Sequence, residues 1–597
     1  MKRRVVWIIF SCLMVVAMVL ASCAPAPVAE EEGKTVVGEV TEKEGAAVEE
    51  EEEEEVFTEV KEGPQYGGTL TLLSGWAVEP DKWDPIEYSS AQESAFTGYY
   101  LENLLTGDLS KGARGTNEYW FNDTYWVPDQ YITGQLAESW EFTDPLTLRF
   151  HLRPGIYWPD KPGVMSSREM ISADVVFSFK RLIEAKATLG TRYEWMESVS
   201  APDKYTVDLK LSKFSADWLY RMMARGTHII PPELVQAGVA DVKKQVGTGP
   251  FMLVDYVKGS ALTYDRNPNY WGKTTIGDKE YSLPFIDRLI VPFIAEPSTQ
   301  LAALRTGKAD ILGGVEWQFR ESLKATNPEL KEYVTLAGGA GLVCMREDIP
   351  PFNDIRVRKA MNMAVDRKAF IDSQFGGEAV LLSWPFSAAW PKDLFTPLED
   401  YPASTQENFA YNPEKAKQLL TEAGYPNGFK IGLIYSSIAP ATADVCSMLA
   451  SHWADIGVEV ELKPMEQGAF VGVSYGKKYT DMIYYGGSNS SPFSILRNAG
   501  EPGDFYNLTM FNYPDWYAKF TQAKGEREYA GQNKLLKELN AEVVSTADYV
   551  ICPTRYVYRY AQPWVNNYYG ETNSASFNLS QVMAATVWLD IGLKAQK

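Results

Sequence analysis

Histidine is nearly missing from this chain: His151, His228 and His452 are the only three in 597 residues, and they are far apart. With no Cys-x-x-Cys and no His-Glu-x-x-His, sequence spacing assembles no zinc, nickel or copper centre, and neither a metal nor a cofactor is expected. No Gly-x-Ser-x-Gly elbow, phosphate-cradling glycine loop or dinucleotide fingerprint occurs either. Cysteine is scarce. Beyond Cys12 and Cys23 there remain Cys344, Cys446 and Cys552, which allow at most one disulfide and read as small buried residues. Positive charge is in the minority, with 57 Lys and Arg against 78 Asp and Glu, and a formal net charge of −21 argues against a nucleic-acid partner. After residue 20 no run of 18 uncharged apolar residues recurs, so nothing further is expected to span a membrane.

The amino terminus carries the first positive signal. Lys2, Arg3 and Arg4 precede an apolar stretch from Val5 to Leu20 that closes on Leu20-Ala21-Ser22-Cys23. A basic start, a hydrophobic run and small residues before the cut describe a secretory signal over residues 1–23, so the chain is expected outside the cytoplasm. The cysteine after Leu-Ala-Ser resembles a bacterial lipoprotein signal. That resemblance implies a diacylglyceryl group on Cys23, held in the cell-envelope membrane by its two acyl chains. Residues 24–65 hold 15 Glu, three Lys and no Asp, including an unbroken run from Glu49 to Glu55. Such a segment cannot bury enough apolar surface to offset the entropy of ordering it, so it is expected to be a disordered tether, roughly 35 Å or more in span.

The body from Tyr66 to Lys597 is long enough for two or three domains. Leu146, Leu148, Phe150 and Leu152 alternate with polar residues as in a half-buried strand, as do Val207, Leu209 and Leu211. Between them Ser172 is a plausible helix cap, with Val176, Phe179 and Ile183 on one face. Farther on, Asn412 caps and Pro413 starts a helix with Ala416, Leu419, Leu420 and Ala423 inward, ended by Gly424. A strand over Lys430–Tyr435, a helix marked by Val445, Met448, Leu449 and Ile456, and a strand with Val458, Val460 and Leu462 follow. That order predicts a parallel crossover, with a cleft beyond the strand ends near Tyr435 and Ser436.

Ordered motifs then carry a family resemblance. Gly247-Thr248-Gly249-Pro250-Phe251 is followed by Arg266-Asn267-Pro268-Asn269-Tyr270-Trp271. Tyr100-Leu101-Glu102-Asn103-Leu104, Leu136-Ala137-Glu138-Ser139-Trp140 and Phe150-His151-Leu152-Arg153-Pro154-Gly155 precede them, and Asn353-Asp354-Ile355-Arg356-Val357-Arg358 and Ala364-Val365-Asp366-Arg367 come after. The set resembles family 5 extracytoplasmic solute-binding proteins, the peptide/nickel class serving bacterial ABC importers. On their own chemistry most of these residues read as scaffold: Asp354 caps a helix with Val357, Ala360, Met361 and Ala364 buried, Arg356 and Arg358 pair with surface or interdomain carboxylates, and Gly247 and Gly249 permit a sharp reversal.

The resemblance implies an α/β, two-lobed periplasmic-binding-protein type II fold with an extra domain on lobe one. Lobe one would comprise residues 66–98, 246–321 and 547–597, the extra domain 99–245 and lobe two 322–546, with hinge crossings near Ser322 and Thr546. It further implies a monomeric receptor, without catalysis, that encloses a small solute, an oligopeptide or an oligosaccharide, and delivers it to an ABC permease. A lipid-anchored hydrolase is the rival of a different class, since paired carboxylates are not legible from spacing alone. Aromatic and polar side chains at strand ends and loops are the candidate contacts: Trp76, Trp317, Trp384, Tyr435, Ser436, Tyr484, Tyr485, Ser488 and Asn489. Peptide-binding members resemble Gly-Trp-x-Ala-Asp-Tyr-x-Asp-Pro here, with the first aspartate meeting the peptide's amino terminus. Alignment on Pro492 puts Ser488 and Ser491 at the two acidic positions, leaving Asp481 or Asp504 as substitutes.

Overall fold

The computed structural model describes residues 63–73, 79–88, 91–121, 126–185, 193–223, 226–337, 339–438, 440–488, 491–571 and 579–597. The signal segment with Cys23, the acidic stretch to residue 62, Trp76 and Asn489 lie outside them.

Two large sheets and a smaller one organise the rest. The first has eight strands: Phe251–Val257, Ala261–Arg266, Arg288–Pro292, Thr69–Leu73, Ile311–Val315, Thr554–Ala561 and Lys331–Leu336 in spatial order, with Ala379–Val380 also paired to Thr554–Ala561. Thr69–Leu73 lies parallel to both neighbours, Leu70 opposite Leu289 and Leu72 opposite Ile311. Its leucines at 70, 72 and 73 are buried on both faces, as expected for a central strand.

The second sheet runs Val458–Met465, Phe429–Ser436, Met482–Ser488, Gly339–Cys344 and Tyr549–Ile551. Its parallel pair, in register from Phe429 opposite Val458 to Ser436 opposite Met465, is the crossover read from sequence. The intervening helix, Pro440–Ala454, buries Val445, Cys446 and Leu449. Asn412 Oδ1 accepts the Lys415 N–H at 3.0 Å to start the helix Pro413–Glu422, and Gly424 leaves it with φ +92°. Asp354 caps Ile355–Met363 in the same way, with Val357, Ala360 and Met361 buried. Arg356 pairs with Asp354 at the surface, whereas Arg358 is buried on the equally buried Asp548, Nε to Oδ1 2.7 Å.

The third sheet is antiparallel, Ala137–Asp144, Thr147–Leu152, Thr206–Leu211 and Met196–Asp203, with the helix Ser172–Glu184 packed on it. Here the cap differs from expectation. Ser172 is the first helical residue, its Oγ donating to Asp203 O at 2.6 Å, while Asp174 accepts the Ile171 N–H at 3.0 Å. The buried face is Val175, Phe179 and Leu182; Val176 and Ile183 are only partly covered, because the helix is rotated by one position to meet the sheet.

Gly247 and Gly249 serve a different purpose from the reversal expected. A side chain on Gly247 would place its Cβ 1.9 Å from the Tyr100 carbonyl oxygen, and one on Gly249 2.8 Å from the same backbone. Close approach of two chain segments, not a left-handed turn, demands glycine there. The cysteines Cys344, Cys446 and Cys552 are all free and buried, and burial pushes their thiols above the usual range, Cys552 to about 12.

The chain passes from the first sheet to the second between Leu336 and Gly339, and returns between Ile551 and Thr554. Both crossings lie later than residues 322 and 546. Lys331–Leu336 still pairs with Thr554–Ala561, and Tyr549–Ile551 still pairs with Gly339–Cys344, so each ladder must finish before the chain can leave it.

Candidate functional site

The two crossings join particular sheet edges. In the first sheet the carboxyl ends of Thr69–Leu73, Ile311–Val315 and Lys331–Leu336 share an edge with the start of Thr554–Ala561, for Val315 stands opposite Tyr558 and Leu336 opposite Tyr556. In the second, the carboxyl ends of Phe429–Ser436, Val458–Met465 and Met482–Ser488 share an edge with Gly339, which stands opposite Ser488. Each connection is only two residues long, so the two edges come within about 10 Å where the chain crosses. The Thr554 hydroxyl donates to Gly339 O at 3.0 Å and ties the connections together. Beyond such carboxyl ends, loops diverge and leave room for a ligand.

Two candidate residues, Ser436 and Ser488, stand at that edge, and Tyr485 lies three residues behind it in mid-strand. Ser436 ends its strand with Oγ donating to Gln467 Oε1 at 2.5 Å, and Ile438, 74% exposed, follows in the turn. Ser488 ends its own strand opposite Gly339. Tyr485 is half-buried, its hydroxyl 3.3 Å from that of Tyr475, and burial pushes it up to about 12. Tyr475 and Tyr506, 5.0 Å apart between ring centres, extend this into an aromatic cluster with half-exposed Phe505. Sequence reading missed Tyr475 and Tyr506; the doublet Phe505-Tyr506 beside Gly503-Asp504 was the available signal.

Other candidates are absorbed into packing. Tyr484 and Tyr485 point to opposite faces of their strand, as period-two alternation requires, so they do not line one surface together. Tyr484 lies over Gly341, where a Cβ would be 2.2 Å from its Oη. Tyr435 is buried in the same core. Trp384 is 4% exposed, 4.4 Å from the Tyr549 ring and packed over Gly487, where a Cβ would be 3.0 Å from the indole. Trp317 donates its indole N–H to Gln374 O at 2.9 Å, which joins a turn after a first-sheet strand to the helix Arg367–Phe375.

Charges near the crossings are paired. Arg555 meets Glu316, and Arg320 meets Glu332 at 2.9 Å and Glu378 at 3.4 Å, with its guanidinium 4.9 Å above the Tyr558 ring. Asp481 is occupied at the opposite end of its strand, by Lys463 at 3.0 Å and the Gly432 N–H at 3.0 Å. Asp504 pairs with Arg497 at 3.2 Å and accepts the Tyr506 N–H at 2.8 Å. Neither acid therefore stands free as a substitute for the serines at 488 and 491. Among the described residues no group of three or more His, Cys, Asp or Glu is clustered to hold a metal ion.

The chain is similar to known proteins. The sequence profile described as bacterial extracellular solute-binding proteins, family 5 Middle, matches residues 132–507. The heme-binding protein A of Haemophilus influenzae is 28% identical over 451 residues, which is 70% of this chain and 78% of that protein. The dipeptide-binding protein of Escherichia coli is 27% identical over 440 residues, 68% of this chain and 78% of the other. Among solved structures, the ABC transporter-associated periplasmic binding protein DppA from Helicobacter pylori, in complex with the peptide STSA, superposes with a TM-score of 0.68. It is 24% identical, and the match covers 88% of this chain and 99% of that one.

Proposed function

The chain belongs to the bacterial extracellular solute-binding proteins of family 5, and from that premise we propose that it is the membrane-anchored receptor of an ABC importer, capturing oligopeptides between its two halves. It has the α/β periplasmic-binding-protein type II fold, it works outside the cytoplasm, and its relatives bind solutes and are not enzymes. No helix among the described residues is long and apolar enough to cross a membrane. The observation that carries the reading is the meeting of two sheets at their carboxyl edges across two short connections. Closure about such connections encloses a ligand between the halves. In this reading the first sheet is the core of lobe one, the second of lobe two, and residues 99–245 form an extra domain.

A dipeptide-binding relative and a peptide-filled structural neighbour support peptide as the cargo class. Ser436 and Ser488 form the rim in this reading, with Tyr485 behind them; Trp317, Trp384, Tyr435 and Tyr484 hold the walls. Cys23 carries the lipid that keeps the receptor beside its permease, and the acidic stretch gives it reach. The test is calorimetry of the purified protein against di- to nonapeptides, with hemin and xylo-oligosaccharides as comparators, alongside native mass spectrometry of whatever copurifies. Retained, uncleaved peptide is the expected result. Selective binding of sugar or hemin, or turnover of peptide, would contradict it. Cys23→Ser is expected to free the protein from membranes with peptide affinity unchanged.

A further inference from the structure

The second sheet has a gap in its side-chain cover, close to the carboxyl edge that meets the first sheet. Met482–Ser488 is the middle strand of five, and its Gly486 stands opposite Gly341 on the neighbouring strand. Side chains alternate across a strand, so Gly486 faces the same way as Tyr484, toward the core shared with the helix Pro440–Ala454, while Gly487 faces Trp384. A Cβ on Gly486 would meet no atom within 4 Å, and the residue is exposed. A central strand is therefore bare at this point. The parallel neighbour ends beside it at Ser436, with the exposed Ile438 in the turn that follows.

Two phenols border this notch. Leu433 lies beside Met482 and Ile434 beside Ile483, so the same register brings Tyr435 next to Tyr484, about 5 Å away across the sheet. Tyr484 leans over Gly341, where a Cβ would be 2.2 Å from its Oη, and this carries the hydroxyl to the residue directly opposite Gly486. Burial holds the Tyr484 phenol well above the ordinary range. Among the described residues neither the Tyr484 nor the Tyr435 hydroxyl has a hydrogen-bond partner. Buried tyrosines ordinarily find one, because a polar group that gives up water without replacement is destabilising. On the opposite face Tyr475 and Tyr485 do pair with each other, at 3.3 Å. Bare peptide planes suit a flat ring, and two phenols at its far end call for a group that both donates and accepts.

We propose that the notch receives a tyrosine side chain of the cargo, its ring over Gly486 and its hydroxyl bonded to those of Tyr484 and Tyr435. This rests on the reading that a peptide is held between the halves, and it adds which side chain is selected. A site built around a ligand hydroxyl rejects the same ring without it, because its own polar groups are then left unpaired.

The experiment is calorimetry of the full chain with trialanine and with tripeptides in which tyrosine or phenylalanine replaces the first, second or third alanine. The natural protein, Tyr484→Phe and Gly486→Leu are compared, each with a melting curve. At one position the natural protein is expected to bind the tyrosine peptide at least about tenfold more tightly than the phenylalanine peptide, the worth of one hydrogen bond. Tyr484→Phe removes a hydroxyl that has no internal partner, so its melting temperature is expected to hold while tyrosine and phenylalanine peptides come to bind alike. Gly486→Leu enters open space and is expected to remove the advantage of the tyrosine peptide over trialanine, because the notch is then filled. Equal affinity for tyrosine and phenylalanine peptides at all three positions in the natural protein, or a tyrosine preference that survives either variant, would overturn this inference and leave the peptide receptor standing. Binding of none of the peptides would overturn both.

Discussion

Glu102 lies where motifs 168 residues apart in sequence converge, with the Tyr270 hydroxyl at 3.3 Å and the Trp271 indole N–H at 3.2 Å on its carboxylate. Arg153 stacks over Trp271 at 5.1 Å. Burial pushes the Glu102 carboxyl up to about 7, against the pull of these hydrogen bonds. The folded chain therefore keeps a proton that the unfolded chain releases near pH 4.5. Stability from this site is full below that value and is lost as pH rises through about 7. Glu102→Gln keeps an acceptor for the indole and removes the titration. Its melting temperature is expected to match the natural protein at pH 5 and to exceed it at pH 8, by about 1–3 kcal/mol in stability. Trp384 makes a contrasting case. Buried on Tyr549 and Gly487, it is expected to cost about 3–5 kcal/mol when changed to Ala, read as a large fall in the denaturation midpoint. A fall in peptide affinity with stability intact would instead make it a ligand contact.

The turn between the helices Pro514–Gly525 and Tyr529–Ser545 is the clearest single element joining the third sheet to the second half. Arg527 lies 4.0 Å above the Phe214 ring and 5.3 Å above Phe142, and its Nη2 donates to Pro145 O at 2.7 Å. In the proposed closing motion these contacts form as the halves come together. Arg527→Ala is expected to weaken peptide binding by about 0.5–2 kcal/mol, the worth of a cation on aromatic rings, with little change in melting temperature. Calorimetry and a thermal scan on the same sample check it. Elements of this kind also show what sequence could and could not convey. The Pro413–Glu422 helix and the parallel crossover were legible because cap, period and stop signal are all local. The crossings at 337–338 and 552–553 were not, because a strand belongs to whichever sheet supplies its hydrogen-bond partners, and those lie more than 200 residues away. The rotated face of Ser172–Glu184 was set in the same way, by the sheet it covers. Aromatics at strand ends were visible in sequence, but whether a ring points into a cleft or over a glycine such as Gly341 or Gly487 depends on packing across strands.

Among the described residues two large sheets meet at their carboxyl edges across short connections, and a third sheet region reaches across to the elements around the second. In the proposed receptor only the closed arrangement touches a solute from both sides, so ligand is expected to shift the population toward it. Small-angle scattering of the full chain, with and without a saturating peptide identified by calorimetry, measures this most directly. A smaller radius of gyration and a shorter maximum dimension are expected in the presence of peptide. An unchanged scattering profile at saturation would contradict it.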